Sequence, residues 1–465
     1  MPIWNIDTAK HLLSRTLFGY TRKDLDYALT FSTLGDFIDN EILKENPIPI
    51  APDAWINEIP IPENATIDGQ RYRGFNYWWF DLMLKEKTNM REKMVLFLHN
   101  HFTSQRTEVQ YPQNMYAQQA LFRKYAFGNL RQLTKEITID PAMLIYLNGN
   151  RSKSKNAVPN ENYAREVMEL FTLGAGNYTE NDIKEAAKSF AGWVVNGLEA
   201  RFDPNRVAIE NKTILGKTGN FTYDQTIDIL FEQPACAPFI CRKIYNQFVT
   251  NQPNEIFIGK MAKVLRDNDF NLKPLLSFLL KSEEFYASEL IGSKIKSPIE
   301  LMIGSMKILE FSNPAIKYDD VANSDYAYIY DTSKTLQQQL FEPPNVAGWP
   351  GQRDWVSSTT YAYRNGFSDS LINGKRLNGA KIAFKLSALD YSKTFLNSEN
   401  AIKFIDEVTS LFFPLPLSAY KKKLLLETLL EGTIAENYNT NVPMAELRLQ
   451  KLYKAMMRLP EFQLN

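Results

Sequence analysis

Pro159-Asn160-Glu161-Asn162-Tyr163-Ala164-Arg165-Glu166-Val167-Met168-Glu169-Leu170-Phe171-Thr172-Leu173-Gly174 reads as one helix with its punctuation. Asn160 is placed to cap its start, Glu161 sets a carboxylate in the positive first turn, and Gly174 can close the end in a left-handed conformation. At about 100° per residue, Tyr163, Ala164, Val167, Met168, Leu170 and Phe171 fall on one arc. The opposite arc holds Glu161, Asn162, Arg165, Glu166 and Glu169. Asn162, Glu166 and Glu169 follow an i, i+4, i+7 spacing, so both carboxylates can point at one spot. Any surface helix shows such a polar arc, and the i, i+4 pairs of Arg165 with Glu161 and Glu169 suit a solvated face equally well. The flanking sequence argues for a central position, because apolar helices crowd this segment on both sides. Inward-facing carboxylates would then need Arg165, a histidine or a metal as partner.

The same helical period runs through nearly the whole chain of 465 residues. Arg91-Glu92-Lys93-Met94-Val95-Leu96-Phe97-Leu98 is apolar on every face after its charged start, the mark of a buried helix. Residues 44–66, with Pro47, Pro49, Pro52, Pro60 and Pro62, predict an extended connection. The convincing β signal lies at Trp193–Leu198, Ala200–Asp203 and Val207–Ile209, a small hairpin excursion. Helices are expected again from Tyr223, and in the last hundred residues around Lys381–Leu389, Ala401–Leu411, Ala419–Leu430 and Ala445–Met457. Residues 341–355 form an irregular loop rich in Pro and Trp. The reading is therefore mainly α: a single large multi-helix assembly over 1–465. Its parts are a helical 1–192 carrying the candidate site, a β-hairpin insertion near 193–215, and a helical 216–465.

Composition excludes several classes. Lys plus Arg and Asp plus Glu number 53 each, so the chain lacks the basic footprint of a nucleic-acid binder. No apolar run reaches the roughly 18–20 residues that span a bilayer. The first residues lack the basic-then-apolar pattern of a signal peptide, and a cytoplasmic location is the expectation. Cys236 and Cys241, five apart in a helix, sit on different faces and read as buried free thiols. No nucleophile elbow and no phosphate-binding glycine loop is present.

Chemistry has few places to reside. The chain has 3 histidines, of which His11 reads as structural, leaving His99 and His101 in Leu98-His99-Asn100-His101-Phe102. With Glu166 or Glu169 they would make a His/His/carboxylate set suited to Fe, Mn or Zn. Residues two apart on a continuous helix lie about 200° around its axis, so both can reach one metal only if the helix ends at Asn100 or if the segment is extended. Without a metal, Glu166 beside Glu169 is an arrangement for general acid/base chemistry of a hydrolytic kind. Arg165 would orient a carboxylate or hold an anionic substrate, and Asn162 and Trp349 would contact substrate. Two alternatives stand beside this enzyme reading. One is a helical scaffold that docks a partner enzyme. The other is a carbohydrate- or peptide-binding module using the aromatic walls at Trp78–Trp79 and Trp349–Trp355.

Several stretches together carry a resemblance. They are Ala9 to Gly19, Arg91 to Phe102, Asp140-Pro141-Ala142-Met143-Leu144, Pro159 to Gly174, Gly192-Trp193, and Pro343-Pro344-Asn345-Val346-Ala347-Gly348-Trp349. On these the chain closely resembles, from about residue 7 onward, the bacterial family catalogued as "domain of unknown function 1800". The resemblance implies a predominantly helical protein, often encoded beside a partner resembling sulfatases and phosphatases. Many members look exported, whereas this chain enters the family motif almost at once. Many relatives carry a His-Asp pair before the stretch matching Lys212–Gly216, where this chain has Val207 and Ala208. If that pair supplies ligands or acid/base groups, an altered site is expected here.

Overall fold

Arg91–His101 is helical, and all of it but Arg91 and Asn100 is buried. A helix apolar all round has to be enclosed by others. Ala65–Lys85 and Pro112–Lys124 pack directly on it, the first bringing Trp78, Trp79 and Phe80 inward. The computed structural model describes residues 2–61, 65–311, 325–377 and 381–465. Among them the architecture is mainly α, with small two-stranded antiparallel hairpins as the only sheets. Buried apolar side chains form a connected cluster that runs from Ala9 to Phe462. No helix among the described residues is long and apolar enough to cross a membrane.

Local chemistry explains where the helices start and stop. Asn5, Thr21, Thr179, Ser297 and Ser357 each close a capping box with the residue three positions on. In the connection after residue 43, only Ala54–Asn57 makes a single helical turn, as its prolines predict. Met1 and Pro62, which entered the sequence reading, lie outside the described residues. Cys236 and Cys241 are buried and free on the helix Cys236–Phe248.

Three features differ from expectation. The excursion near 193–215 is two hairpins rather than one. Trp193–Asn196 pairs with Glu199–Phe202, and Lys212–Ile214 pairs with Lys217–Gly219. The second closes through Leu215 and Gly216, both at positive φ, the two-residue turn that suits strand twist. Val207–Ile209, read as a strand, is irregular. Lys381–Leu389, read as helix, begins as the strand Lys381–Ala383 paired with Lys375–Leu377, and the helix there is Ala388–Lys393. Last, Ser358–Asn373 is a helix that the sequence hid among Ser, Thr, Tyr and Asn, residues of modest helix propensity. Packing on Pro298–Ile308 and Ala445–Met457 decides its conformation instead.

The buried helix brings charge inside at its start. The Arg123 guanidinium clasps the Glu92 carboxylate with Nε to Oε1 at 3.0 Å and Nη2 to Oε2 at 2.7 Å. Trp79 Nε1 donates to the same carboxylate at 2.8 Å, and the guanidinium lies 4.7 Å from the Trp78 ring centroid. Removing the carboxylate leaves Arg123 buried without a counter-charge. Glu92→Gln is therefore expected to lower the free energy of unfolding by about 3 kcal/mol, read as a shift of the urea midpoint. An unchanged midpoint would show that the pair contributes little.

Candidate functional site

The central segment forms in two parts. Asn162–Glu166 is α-helical, and Val167–Thr172 continues as a π-helix before Gly174 ends it at φ +81°. Leu173 N–H bonds to Met168 O and Thr172 Oγ1 to Val167 O, closing the wider i to i+5 turn. Asn160 does not cap a helix through its third turn residue; its side chain instead accepts Asn162 N–H at 2.8 Å in a local turn. The wider turn slackens the rotation per residue after Glu166, so the spacing that put Glu166 and Glu169 over one spot no longer applies. Glu169 accepts a hydrogen bond from Tyr178 Oη at 2.6 Å. Glu166 is half-buried, and desolvation, with the charge of Glu169 adding to it, raises its carboxyl above the usual range. Arg165 is committed elsewhere: both its terminal nitrogens meet Glu180 at 2.8 Å, with Glu161 at 3.6 Å. Asn162 is exposed.

The helix carrying the histidines runs through His101, so His99 and His101 leave it on different sides. Among the described residues no three His, Cys, Asp or Glu side chains are grouped as metal ligands. His99, His101 and Glu166 are thus not assembled as the expected ligand set. His99 is enclosed by aromatic rings, with Trp79, Phe341 and Trp349 centroids at 5.9, 5.6 and 5.6 Å. Both its ring nitrogens are buried without a hydrogen bond. His101 packs on Phe102 at 4.5 Å and on Phe171 of the π-helix at 5.9 Å. The two signature helices therefore meet, through Phe171 rather than through Glu166 or Glu169. The Phe171 backbone approaches the His101 ring without completing a hydrogen bond of good geometry, so at least one ring nitrogen has no partner.

The end of this helix anchors the Pro/Trp-rich loop. Arg106 N–H bonds to Phe341 O at 2.9 Å, Gln105 Nε2 to Pro343 O at 2.9 Å, and Trp349 N–H to Asn100 Oδ1 at 2.7 Å. Asn345 turns the loop by accepting Ala347 N–H. Gly348, at φ +86°, lies so close that a Cβ there would sit 2.2 Å from Asn100 Oδ1. Only glycine fits that approach.

Between loop and helix end lies a cavity of about 350 Å³. Its walls are the last turn of Arg91–His101, the last turns of Cys236–Phe248, residues 294–300, and the loop from Ala347 to Trp355. His101 and Trp349, expected from the sequence, line it. Asn162, Arg165, Glu166 and Glu169 do not. Sequence reasoning missed Lys243, Lys294 and Glu300, whereas Trp355, named with Trp349 as an aromatic wall, also lines the cavity. One signal was present: Ser297-Pro298-Ile299-Glu300 spells a capping box with proline at the first helical position, and it fixes Glu300 beside residues 294–297. Glu300 Oε2 accepts Ser297 N–H at 2.7 Å, while its Oε1 meets Lys93 Nζ at 2.5 Å. Lys93 and Lys294 hold its carboxyl down at about 2 against the desolvation of its site. Lys294 Nζ donates to the carbonyls of Asn246 and Gln247, where the helix dipole is negative. Burial nonetheless brings its ammonium down to about 7. Val207 and Ala208 lie elsewhere, Ala208 N–H bonding to Ser154 Oγ in the loop before the central helix.

The model of the family described as Protein of unknown function (DUF1800) matches residues 11–464. The chain belongs to that family. No curated protein and no solved structure matches it. In this DUF1800 member, the segment ending in His101 and the loop holding Trp349 thus form opposite walls of one cavity.

Two outcomes follow for this DUF1800 member. Burial pushes His11 and His99 down to about 3 and His101 well below its ordinary value. The unfolded chain takes up protons at these groups near pH 6.5, whereas the folded chain takes them up at His11 and His99 only near pH 3 and at His101 only well below its ordinary range. Stability is therefore lost as pH falls through 6.5, by about 1.4 kcal/mol per pH unit for each histidine. Urea midpoints of the parent and of His99→Phe between pH 7 and 5 check this, the variant showing a shallower slope. Separately, Gly348→Ala is expected to cost at least about 2 kcal/mol from the left-handed backbone and the contact with Asn100, read by thermal unfolding.

Proposed function

We propose that this DUF1800 member works through the cavity between the His-Asn-His helix end and the Pro/Trp-rich loop, as a receptor site for a small polar molecule with one flat face. The observation that carries this reading is the buried polar lining without partners inside the protein. Trp349 Nε1 and His101 both line the cavity, are at least nine-tenths buried, and lack well-formed hydrogen bonds. Leaving such groups unsatisfied costs about 1–3 kcal/mol each, so they are kept where a ligand completes them. Phe97, Trp349 and Trp355 offer the apolar faces, and the amides of Asn100, Gln338 and Gln352 offer orientation. The cavity volume lies in the range that accepts small molecules.

This favours the binding-module reading of the loop tryptophans over the metal-dependent enzyme. A carboxylate-dependent enzyme would have to act from Glu166 and Glu169, which do not line this cavity. The half-buried Glu166, its carboxyl raised by desolvation and by the charge of Glu169, keeps acid/base chemistry open at a second place, tested by Glu166→Gln once a substrate is known.

A panel of small metabolites, neutral and charged, titrated against tryptophan fluorescence tests the proposal. A binder whose signal is lost in Trp355→Leu and whose affinity falls about tenfold in His101→Phe is expected. Binding untouched by both substitutions in folded protein would place the site elsewhere.

A further inference from the structure

The cavity's charges are unbalanced in one direction. Of the side chains lining it, Lys243, Lys294, His101 and Glu300 are the ones that titrate. Glu300 is spent: one oxygen is paired to Lys93 and the other caps the helix that follows Ser297. His101 is kept neutral by burial and by the nearby charge of Lys243. Two ammonium groups remain. Lys294 gives hydrogens to two helix-end carbonyls, and the carboxylate that acts on its charge is Glu300, already paired to Lys93. Lys243 has neither a carboxylate nor a hydrogen-bond acceptor among the described residues; its Nζ lies 5.4 Å from the Phe239 ring centroid. Arg15, next to this wall, also spends its guanidinium on carbonyls, those of Val249 and Leu290, so among the described residues Glu300 is the carboxylate that meets the cluster.

Cations capping helix ends are common, and that alone explains Lys294 and Arg15. It does not explain Lys243, which is one and a half turns inside its helix and meets no carbonyl. Desolvating an ammonium without a counter-ion is costly. Two ammonium groups on one wall of a cavity, opposite two tryptophans, form a receptor for negative charge with an apolar platform beside it.

We infer that the ligand of this cavity carries an oxyanion group, a phosphate, sulfate or carboxylate, held between Lys243 and Lys294 while the rest of the molecule lies against Trp349 and Trp355. This rests on the cavity being the functional site. The anion completes the hydrogen bonding of Lys243 and adds to the negative charge that Lys294 shares with Lys93 at Glu300, and the amides around the rim orient what is attached to it.

The test is calorimetric titration of the full-length protein with inorganic phosphate, sulfate and acetate at constant ionic strength, sodium chloride serving as the blank. One-site binding of at least one oxyanion is expected, weakened about tenfold or more in Lys243→Gln and in Lys294→Gln. Lys153→Gln, outside the cavity, should bind as the parent does. Lys243 makes no hydrogen bond among the described residues, so Lys243→Gln breaks none and is the decisive variant if Lys294→Gln does not fold, with circular dichroism checking its fold. The relative affinities of phosphate, sulfate and acetate tell the ligand classes apart. No oxyanion binding up to about 10 mM, or binding that Lys243→Gln leaves unchanged, overturns the inference. If neutral metabolites still bind in a Trp355-dependent way, the cavity stands as the site and only its charge preference falls. If nothing binds there, both fall.

Discussion

The rest of the structure depends on burying one helix completely. Arg91–His101 has no face for water, yet it carries Glu92 and Lys93 at one end and Asn100 and His101 at the other. Every one of these polar groups has to be met inside the protein or left wanting. Glu92 draws in Arg123 from a neighbouring helix. Lys93 draws in Glu300 and the carbonyl of Leu17, and Asn100 draws in the backbone of Trp349. Segments far apart in the chain are thus fixed around a single element by charge and hydrogen bonding, with apolar burial supplying the bulk of the driving force.

The cavity is a by-product of that arrangement at the far end of the same helix. The loop can dock there because Gly348 lets its backbone reach Asn100, and its tryptophans then face the last turns of Cys236–Phe248. Behind this wall the central segment contributes packing: Phe171, buried on the π-turn, packs on both His101 and Phe102. A π-turn is less stable than an α-turn and persists where tertiary contacts favour it. Here the contacts are those of Phe171.

Helices were legible in the sequence wherever an apolar stripe met a capping residue. The buried helix was legible for a different reason, being apolar on every face, and the helical setting of Cys236 and Cys241 follows from periodicity. The helix Ser358–Asn373 and the strand Lys381–Ala383 were not legible, because neither has a stripe and packing or pairing chose between conformations that local preference leaves nearly equal. The candidate site was half legible. Two unusual histidines and an irregular tryptophan loop mark their own positions, and His101 and Trp349 do meet. The regular arc of Glu166 and Glu169 misled, since its geometry assumed an unbroken α-helix. Lys243 and Lys294 gave no signal at all: a lysine in sequence looks like a solvated lysine, and only the fold reveals that it is shut in.

That last point bears on how the site is powered. Helix C-termini are partly negative, and in this fold the ends of Ile6–Thr16 and Cys236–Phe248 receive Lys93, Arg15 and Lys294. Dipoles of this kind allow cations to be buried without carboxylates beside them. A carboxylate partner would cancel the field that the cavity presents, as Glu300 already does for Lys93. Carbonyl partners satisfy the hydrogen bonds and leave the field intact. The protein thereby holds positive charge beside an aromatic wall, oriented before any ligand arrives, and that preorganisation is what the proposed oxyanion site requires.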